Sequence, residues 1–123
     1  MKTTRTHKDL NVWQLSMDFV IHVYSVTRKF PIPERYGLTQ QIRKAAVSIP
    51  SNLAEGAARK NTREMIQFLY IALGSMAELE TQLELADRLG YLEEKKKLEC
   101  NLAAIGRMTI NLIRSLKARS ETH

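Results

Sequence analysis

The stretch MIQFLYIALGSMAELETQLELA, Met65 to Ala86, decides the fold. Its apolar residues recur at alternating steps of four and three. This spacing puts them on one continuous face of a helix and is typical of the seam of a coiled coil. The residues of this seam are Met65, Leu69, Ala72, Met76, Leu79, Leu83 and Ala86. Asn61 and Glu64 ahead of it have the spacing of a capping box, and Gly90 after it suits a left-handed helix end. The pattern predicts a long helix that packs lengthwise against other helices.

The segment that follows has the same rhythm and predicts another long helix, from about Leu92 or Glu93 to near Ala118. Its seam consists of Leu98, Leu102, Ile105, Thr109, Leu112 and Leu116. The residues EEKKK, Glu93 to Lys97, open this helix. Acidic side chains are favourable at a helix start because they face the positive end of the helix dipole.

The first predicted helix begins near Asp9 or Asn11, ends near Arg28 and carries two apolar faces. One face contains Leu10, Trp13, Met17, Val20 and Tyr24, and the other contains Val12, Leu15, Phe19, Val23 and Val26. A helix with two apolar faces lies centrally or meets another subunit. Because one bundle cannot bury both faces, we expect Val12, Phe19 and Val23 to form an inter-subunit patch.

A proline interrupts the second predicted helix, within AAVSIPSNLAEG, Ala45 to Gly56. Pro50 cannot donate a hydrogen bond to Ala46, which costs about 3 kcal/mol in a helix interior. Two interpretations remain open: one helix from about Leu38 that is kinked at Pro50, or a new helix that begins at Pro50. We favour the kinked helix because its apolar spacing is unbroken, and we expect Ser48 and Ser51 to satisfy freed backbone groups.

These elements predict an all-α fold, an antiparallel up-down-up-down four-helix bundle, because short connections force neighbouring helices to run in opposite directions. The 123 residues suit one domain, 1–123, with an ordered core over about 8–118. The chain has one cysteine, Cys100, no apolar run of membrane-spanning length and no secretory signal at its start. We therefore expect a cytoplasmic protein that does not contact membranes.

Residue patterns that carry chemistry are scarce. No carboxylate stands three residues before His7, His22 or His123, the spacing of di-iron bundles, so we expect no metal and no cofactor. No nucleophile motif or phosphate loop is present, so we expect no catalytic residues and no enzyme. One buried pair is a candidate, between Glu80 and Arg43 of neighbouring helices, with an exposed Glu80 as the alternative.

The formal net charge is +6. The predicted topology gathers Lys2, Arg5, Lys8, Arg59, Lys60, Arg63, Arg114, Lys117 and Arg119 at one end, against Asp9, Glu55, Glu64 and Glu121. The opposite end mixes both signs. A basic end is the footprint expected of a protein that binds phosphate backbones, although a solvated end that only confers solubility is the alternative. No aromatic residues are expected among these cations, which favours contact with the backbone over stacking on bases.

Three stretches carry a resemblance to a known family. They are LNVWQLSMDFVIHVYSVTRKFP (10–31), ERYGLTQQIRKAAVSIPSNLAEG (34–56) and FLYIALGSMAELETQLELADRLGY (68–91). In these stretches the chain closely resembles four-helix-bundle proteins encoded within intervening sequences of bacterial 23S ribosomal RNA genes. The resemblance implies a ring-like homopentamer. The family includes accessory proteins of diversity-generating retroelements, which bind nucleic acid and a reverse transcriptase.

Taken together, these features predict a non-enzymatic homopentamer that binds RNA or DNA without sequence preference through its basic end. The residues expected to contact phosphates are Arg59, Lys60, Arg63, Arg114, Lys117 and Arg119. The alternative function is that of a structural or adaptor protein, with a protein partner such as a reverse transcriptase.

Overall fold

Four α-helices make up the computed structural model, which describes residues 6–121 apart from the side chains of Asp9 and Glu121. The helices are α1 (Asn11–Thr27), α2 (Leu38–Ala57), α3 (Thr62–Arg88) and α4 (Lys95–Glu121). Short 3-10 turns at His7–Asp9 and Ile32–Glu34 precede α1 and α2. No strand occurs within the described residues, so the all-α prediction is confirmed. None of these helices combines the length and the apolarity that crossing a bilayer requires.

The helices form a four-membered bundle in which each helix touches two others. Both α1 and α3 contact α2 and α4, whereas α1 and α3 do not approach each other within the described residues. Contacts along α2 and α3, and along α3 and α4, join residues in opposite sequence order. The pairs are Ser48 with Ser75, Gly56 with Phe68, Tyr70 with Lys117, and Glu84 with Lys95. The start of α3 therefore lies beside the ends of α2 and α4.

The predicted seam of α3 lies at the centre of the core. Leu69, Ala72, Leu79 and Ala86 have no solvent exposure. The seam of α4 is also buried apart from Leu112, which is half-buried, while the adjacent Ile113 enters the core instead. The seam includes Thr109, whose hydroxyl donates to the Ile105 carbonyl at 2.8 Å. This bond satisfies the hydroxyl, so the threonine can occupy an apolar position without an unpaired polar group.

The expected position of Val12, Phe19 and Val23 at a subunit interface is wrong. These three side chains are 4%, 3% and 1% exposed and belong to the core of a single chain. Only one apolar face of α1 can turn towards α2 and α4, and it is the face that carries them. The opposite face keeps Met17 38% and Ile21 67% exposed.

The second helix runs without interruption through Pro50, so the interpretation with a new helix at that residue is wrong. The bend at Pro50 stays a prediction. The Ser51 hydroxyl donates to the Val47 carbonyl at 2.9 Å, and not to the Ala46 carbonyl that Pro50 leaves without its backbone donor. Ser48 instead bonds across to Ser75, with 2.6 Å between the two hydroxyl oxygens, and accepts a bond from the Asn52 amide.

The ends of α3 have the predicted caps. The Asn61 side chain accepts a hydrogen bond from the Glu64 N–H at 2.8 Å. At the other end Gly90 has a φ of +82°, and the Tyr91 N–H donates to the Ala86 carbonyl at 2.9 Å, as in a Schellman motif. This turn delays the next helix, so α4 begins at Lys95, slightly after the predicted start.

Glu34 joins the connection between α1 and α2 to the connection between α3 and α4. One carboxylate oxygen accepts the Leu38 N–H at the start of α2, at 3.2 Å. The other accepts the Tyr91 hydroxyl at 2.9 Å, and the Tyr91 ring packs on Phe30. The hydrogen bond to Glu34 raises the pKa of Tyr91 above its ordinary value.

Alanine substitutions at two helical glycines are expected to have opposite effects. A Cβ at Gly56 would lie 3.1 Å from the Phe68 Cβ and 3.2 Å from the Met65 carbonyl oxygen, whereas one at Gly74 meets nothing within 4 Å. We expect Gly74→Ala to raise the free energy of unfolding by about 0.5–1 kcal/mol through helix propensity. We expect Gly56→Ala to lower it by about 1 kcal/mol or more through overpacking. Denaturant unfolding measures both, and equal effects would contradict the close approach of α2 and α3.

Tyrosinate absorbance tests the bond between Tyr91 and Glu34. Because the folded pKa of Tyr91 is raised, the contribution of this bond to stability is present below pH about 10 and is lost as the pH rises through the folded pKa. In an alkaline titration of the folded protein, Glu34→Gln should move the ionisation of one tyrosine to lower pH. Tyr91→Phe should remove the tyrosine that ionises at the highest pH. Identical titrations of the wild type and Glu34→Gln would contradict the assignment.

Candidate nucleic-acid interface

An open groove of about 470 Å³ separates the start of α3 from the end of α4. We call it the basic groove. Its lining residues are Thr62, Arg63, Ile66, Gln67, Tyr70, Lys117 and Ser120. Arg63 and Tyr70 are seven residues apart, which places them on one face of α3, two turns from each other. Two predicted phosphate contacts, Arg63 and Lys117, thus lie on either side of one groove.

Lys117 is held in this groove by Tyr70. Its ammonium nitrogen donates to the Tyr70 hydroxyl oxygen at 3.0 Å and lies 5.4 Å from the centre of the Tyr70 ring. An ammonium has three donors, so two remain for a ligand. Because the ring and hydroxyl already restrain this flexible side chain, less conformational entropy is lost when an anion binds.

Arg59 and Lys60 lie in the turn between α2 and α3, and both are exposed. The Arg59 guanidinium stacks over the Phe68 ring, 4.7 Å from its centre, and pairs with Glu55 at 3.6 Å. Both partners of this ion pair are about half exposed, so the pair is weak and readily exchanged for another anion. The turn therefore presents two cations next to the beginning of α3.

The remaining predicted contacts are on α4. Arg114 lies one turn before Lys117 and is exposed, and Arg119 is exposed in the last turn. Neither lines the basic groove. Lys8 is exposed near the start of α1, and the predicted members Lys2 and Arg5 lie outside the described residues.

Tyr70 is the residue that the sequence analysis missed. No aromatic side chain was expected among the cations, yet Tyr70 is 49% exposed and lies between Arg63 and Lys117. The seven-residue step from Arg63 to Tyr70 is visible in the sequence and was the signal available. The ring gives the groove a surface on which a base can stack, in addition to cations for phosphates.

The proposed pair of Arg43 and Glu80 does not form. Glu80 is exposed, as in the alternative considered above, and Arg43 turns to α1 instead. The Arg43 Nε donates to the Thr27 hydroxyl at 2.8 Å, and the guanidinium lies 4.5 Å from the centre of the Tyr24 ring. Stacking and hydrogen bonds to neutral oxygens hold this cation in place without a carboxylate.

The opposite end of the bundle contains most of the ion pairs found in the described residues. The Lys95 ammonium lies 2.9 Å from Glu84, 3.5 Å from Asp87 and 3.9 Å from Glu99. Hydrogen bonds from Arg88 and then Lys95 lower the pKa of Glu84. The carboxylates at this end are therefore already paired with the cations Arg88 of α3 and Lys95 of α4.

The titratable side chains considered as ligands are dispersed. The His22 Nε2 lies 3.0 Å from a carboxylate oxygen of Glu94, and this hydrogen bond lowers the pKa of Glu94. Cys100 is an exposed free thiol on α4. Within residues 6–121 no three His, Cys, Asp or Glu side chains gather as metal ligands do.

Comparisons with known proteins place the chain in a family. The model of the family described as 23S rRNA-intervening sequence protein matches residues 8–111. A crystal structure of a protein with unknown function from the S23 ribosomal protein family of Bacteroides thetaiotaomicron VPI-5482 is similar, with a TM-score of 0.74 and 23% identity. The match covers 83% of this chain and 97% of that one, and at this identity it supports the fold. No curated protein matches the chain. Since the family model matches most of the sequence, the chain belongs to the 23S rRNA-intervening sequence protein family.

Proposed function

We propose that this protein binds the phosphate backbone of RNA or DNA through the basic groove, without catalysis and without sequence preference. The observation that carries the proposal is the convergence of Arg63 and Lys117, from two helices, on one groove that also exposes Tyr70. None of the described side chains that line this groove is a carboxylate. A strand there meets cations of α3 and α4, with Arg59 and Lys60 extending the positive surface into the preceding turn.

The chemistry of the groove suits a single strand better than a rigid duplex. Phosphates attract Arg63 and Lys117, and the exposed Tyr70 ring accepts a base of any identity because every base has a π-face. Backbone contacts and stacking of this kind supply affinity without reading sequence. The formal net charge of +6 adds a long-range attraction that falls with salt.

We also propose that the chain assembles into a ring, with the homopentamer implied by the family resemblance as its form. The support is a second row on α3 that has heptad spacing but faces solvent: Ile71, Gly74, Glu78, Thr81 and Leu85. Ile71 is 51% and Leu85 49% exposed. On α1, Met17 and Ile21 form another exposed apolar row. These two rows replace Val12, Phe19 and Val23 as the candidate interface.

The placement of the two rows favours a ring over a symmetric dimer. They belong to α1 and α3, whose backbones lie diagonally across the bundle and do not approach each other within the described residues. Contact between the α1 row of one subunit and the α3 row of the next is a heterologous interface, and repeated heterologous contacts form a ring when the rotation between subunits closes. In such a ring the basic groove recurs once per subunit.

A structural or adaptor role is the second candidate function, and the same exposed rows favour it. In that case the rows bind another protein, such as the reverse transcriptase implied by the resemblance. The two candidates differ in what covers Ile71 and Ile21, and in whether nucleic acid binds at all.

Salt dependence tests the basic groove. We expect Arg63→Gln with Lys117→Gln to weaken binding of a single-stranded RNA and to reduce the slope of log affinity against log salt by about 1.4, or about 0.7 for each lost contact. Fluorescence anisotropy at several salt concentrations measures both quantities. The matched control is Lys96→Gln with Arg107→Gln, which removes the same charge from two exposed positions of α4.

Two outcomes would contradict the proposal. One is a wild-type protein that does not bind RNA at low salt. The other is an equal loss of affinity and slope in the groove variant and in the control, because this would show that net charge rather than the groove determines binding.

Molar mass tests the ring. We expect wild-type light scattering to give five times the chain mass of 14.1 kDa, and Ile21→Glu or Ile71→Glu alone to give smaller species. An equimolar mixture of the two variants should form a dimer of about twice 14.1 kDa, since each variant retains the row that the other lacks. Ile110→Glu, at an exposed isoleucine of α4, is the control and should keep the wild-type mass.

A wild-type mass of 14.1 kDa would contradict the ring and favour the adaptor function. A mixture of the two variants that stays monomeric would exclude a contact between the α1 and α3 rows.

A further inference from the structure

Two adjoining hollows lie between the end of α1 and the start of α2, with volumes of about 230 and 410 Å³. We call them together the Thr39 groove, since Thr39 lines both. Arg35 and Arg43 also line both hollows. The larger hollow falls within the range of small-molecule sites, about 300 to 1,000 Å³.

The first observation that points to a ligand is the buried hydroxyl group of Thr39. Its side chain is 6% exposed, and its hydroxyl oxygen has no hydrogen-bond partner among the described residues. A buried polar group without a partner destabilises the folded state, because it has lost its hydrogen bonds to water. Threonine in a helix has two accessible χ1 rotamers, so the hydroxyl can turn to meet a bound oxygen.

The charge of the groove is the second observation. Its lining includes four cations, Arg28, Arg35, Arg43 and Lys44, and none of the described carboxylates. Within residues 6–121 none of these cations forms an ion pair. The nearby Glu34 is engaged by Leu38 and Tyr91. Four unpaired cations around a partnerless hydroxyl match an oxyanion.

Arg43 is already oriented in the groove. Its Nε donates to the Thr27 hydroxyl and its Nη2 to the Tyr24 carbonyl, at 2.8 and 3.3 Å, and its guanidinium stacks on the Tyr24 ring. A guanidinium has five N–H donors, so three remain for an incoming ligand. Thr39 lies in the first turn of α2, where the helix dipole adds partial positive charge.

Tyr36 adds a flat apolar surface beside these cations. It lines the larger hollow and is 84% exposed. A phosphate alone gains no favourable contact from an aromatic ring, whereas a nucleobase attached to the phosphate can stack on the ring.

We propose that the Thr39 groove binds a nucleoside monophosphate. The phosphate accepts hydrogen bonds from Arg35, Arg43 and the Thr39 hydroxyl, and the base stacks on Tyr36. A phosphomonoester has two possible sources, a free nucleotide or the 5′ end of a strand. The proposal does not depend on the basic groove, which lies beyond the other end of α2, roughly 27 Å along that helix.

The test is calorimetric titration of the full chain with adenosine 5′-monophosphate, ribose 5-phosphate and adenosine. We expect the monophosphate to bind most tightly, ribose 5-phosphate more weakly, and adenosine not measurably. Thr39→Val should weaken monophosphate binding about tenfold or more, because one hydrogen bond to a charged group is lost. The same variant should keep or raise the melting temperature of the free protein, since it removes an unpaired buried hydroxyl.

Arg35→Gln should weaken binding of the monophosphate by a similar factor. Arg107→Gln, which replaces an exposed arginine of α4, should leave the affinity for the monophosphate unchanged. Tyr36→Ala should reduce the affinity for the monophosphate to that for ribose 5-phosphate. Arg63→Gln with Lys117→Gln should bind the monophosphate like the wild type, which separates this site from the basic groove.

Competition identifies the source of the phosphate. Displacement of the monophosphate by a 5′-phosphorylated RNA, but not by the same RNA with a 5′-hydroxyl, assigns the groove to strand ends. No displacement by either assigns it to a free nucleotide. The proposal is overturned if the monophosphate binds no better than adenosine, or if Thr39→Val and Arg35→Gln bind it like the wild type. Equal weakening by Arg107→Gln would also overturn it.

Discussion

The close approach of α2 and α3 is the constraint on which the rest of the molecule depends. Gly56 places bare backbone against Phe68 and Met65, and the Ser48 and Ser75 hydroxyls meet at 2.6 Å. Of all helix pairs, α2 and α3 share the most extensive contact. Because small residues bring these two backbones together, the start of α3 is fixed beside the end of α2. The end of α4 packs against the start of α3 through Lys117 and Tyr70, and the basic groove forms there.

The parts of the fold that local chemistry determines could be predicted. The helix α3 has one continuous apolar face, so spacing alone identifies its buried side. At its ends, Asn61 accepts a hydrogen bond from a free backbone N–H and Gly90 turns the chain, and both effects are local in sequence. The helix α1 shows where this reasoning fails. Both of its faces carry apolar residues at helical spacing. Which face is buried depends on how α2 and α4 approach, and the spacing of apolar residues in α1 holds no information about that approach.

The candidate site was predictable to a similar extent. Bundle topology brings Arg63 and Lys117 together because helix ends are easy to place along a chain. Arg43 was assigned the wrong partner, because the choice between Glu80 and Thr27 depends on side-chain direction across an interface. The sequence does hold Arg35, Thr39 and Arg43 at steps of four, but the turn at Gly37 separates Arg35 from α2 and conceals that these three share a groove.

Glu34 links regions that are distant along the chain. Its carboxylate holds the first N–H of α2 with one oxygen and Tyr91, from the connection between α3 and α4, with the other. The start of α2 also carries Thr39, so a contact from the α3–α4 connection helps to hold that residue in position. Loss of the Tyr91 hydroxyl would release the Glu34 carboxylate beside the start of α2. A change in the α3–α4 connection can therefore alter the Thr39 groove while every residue that lines the groove stays the same.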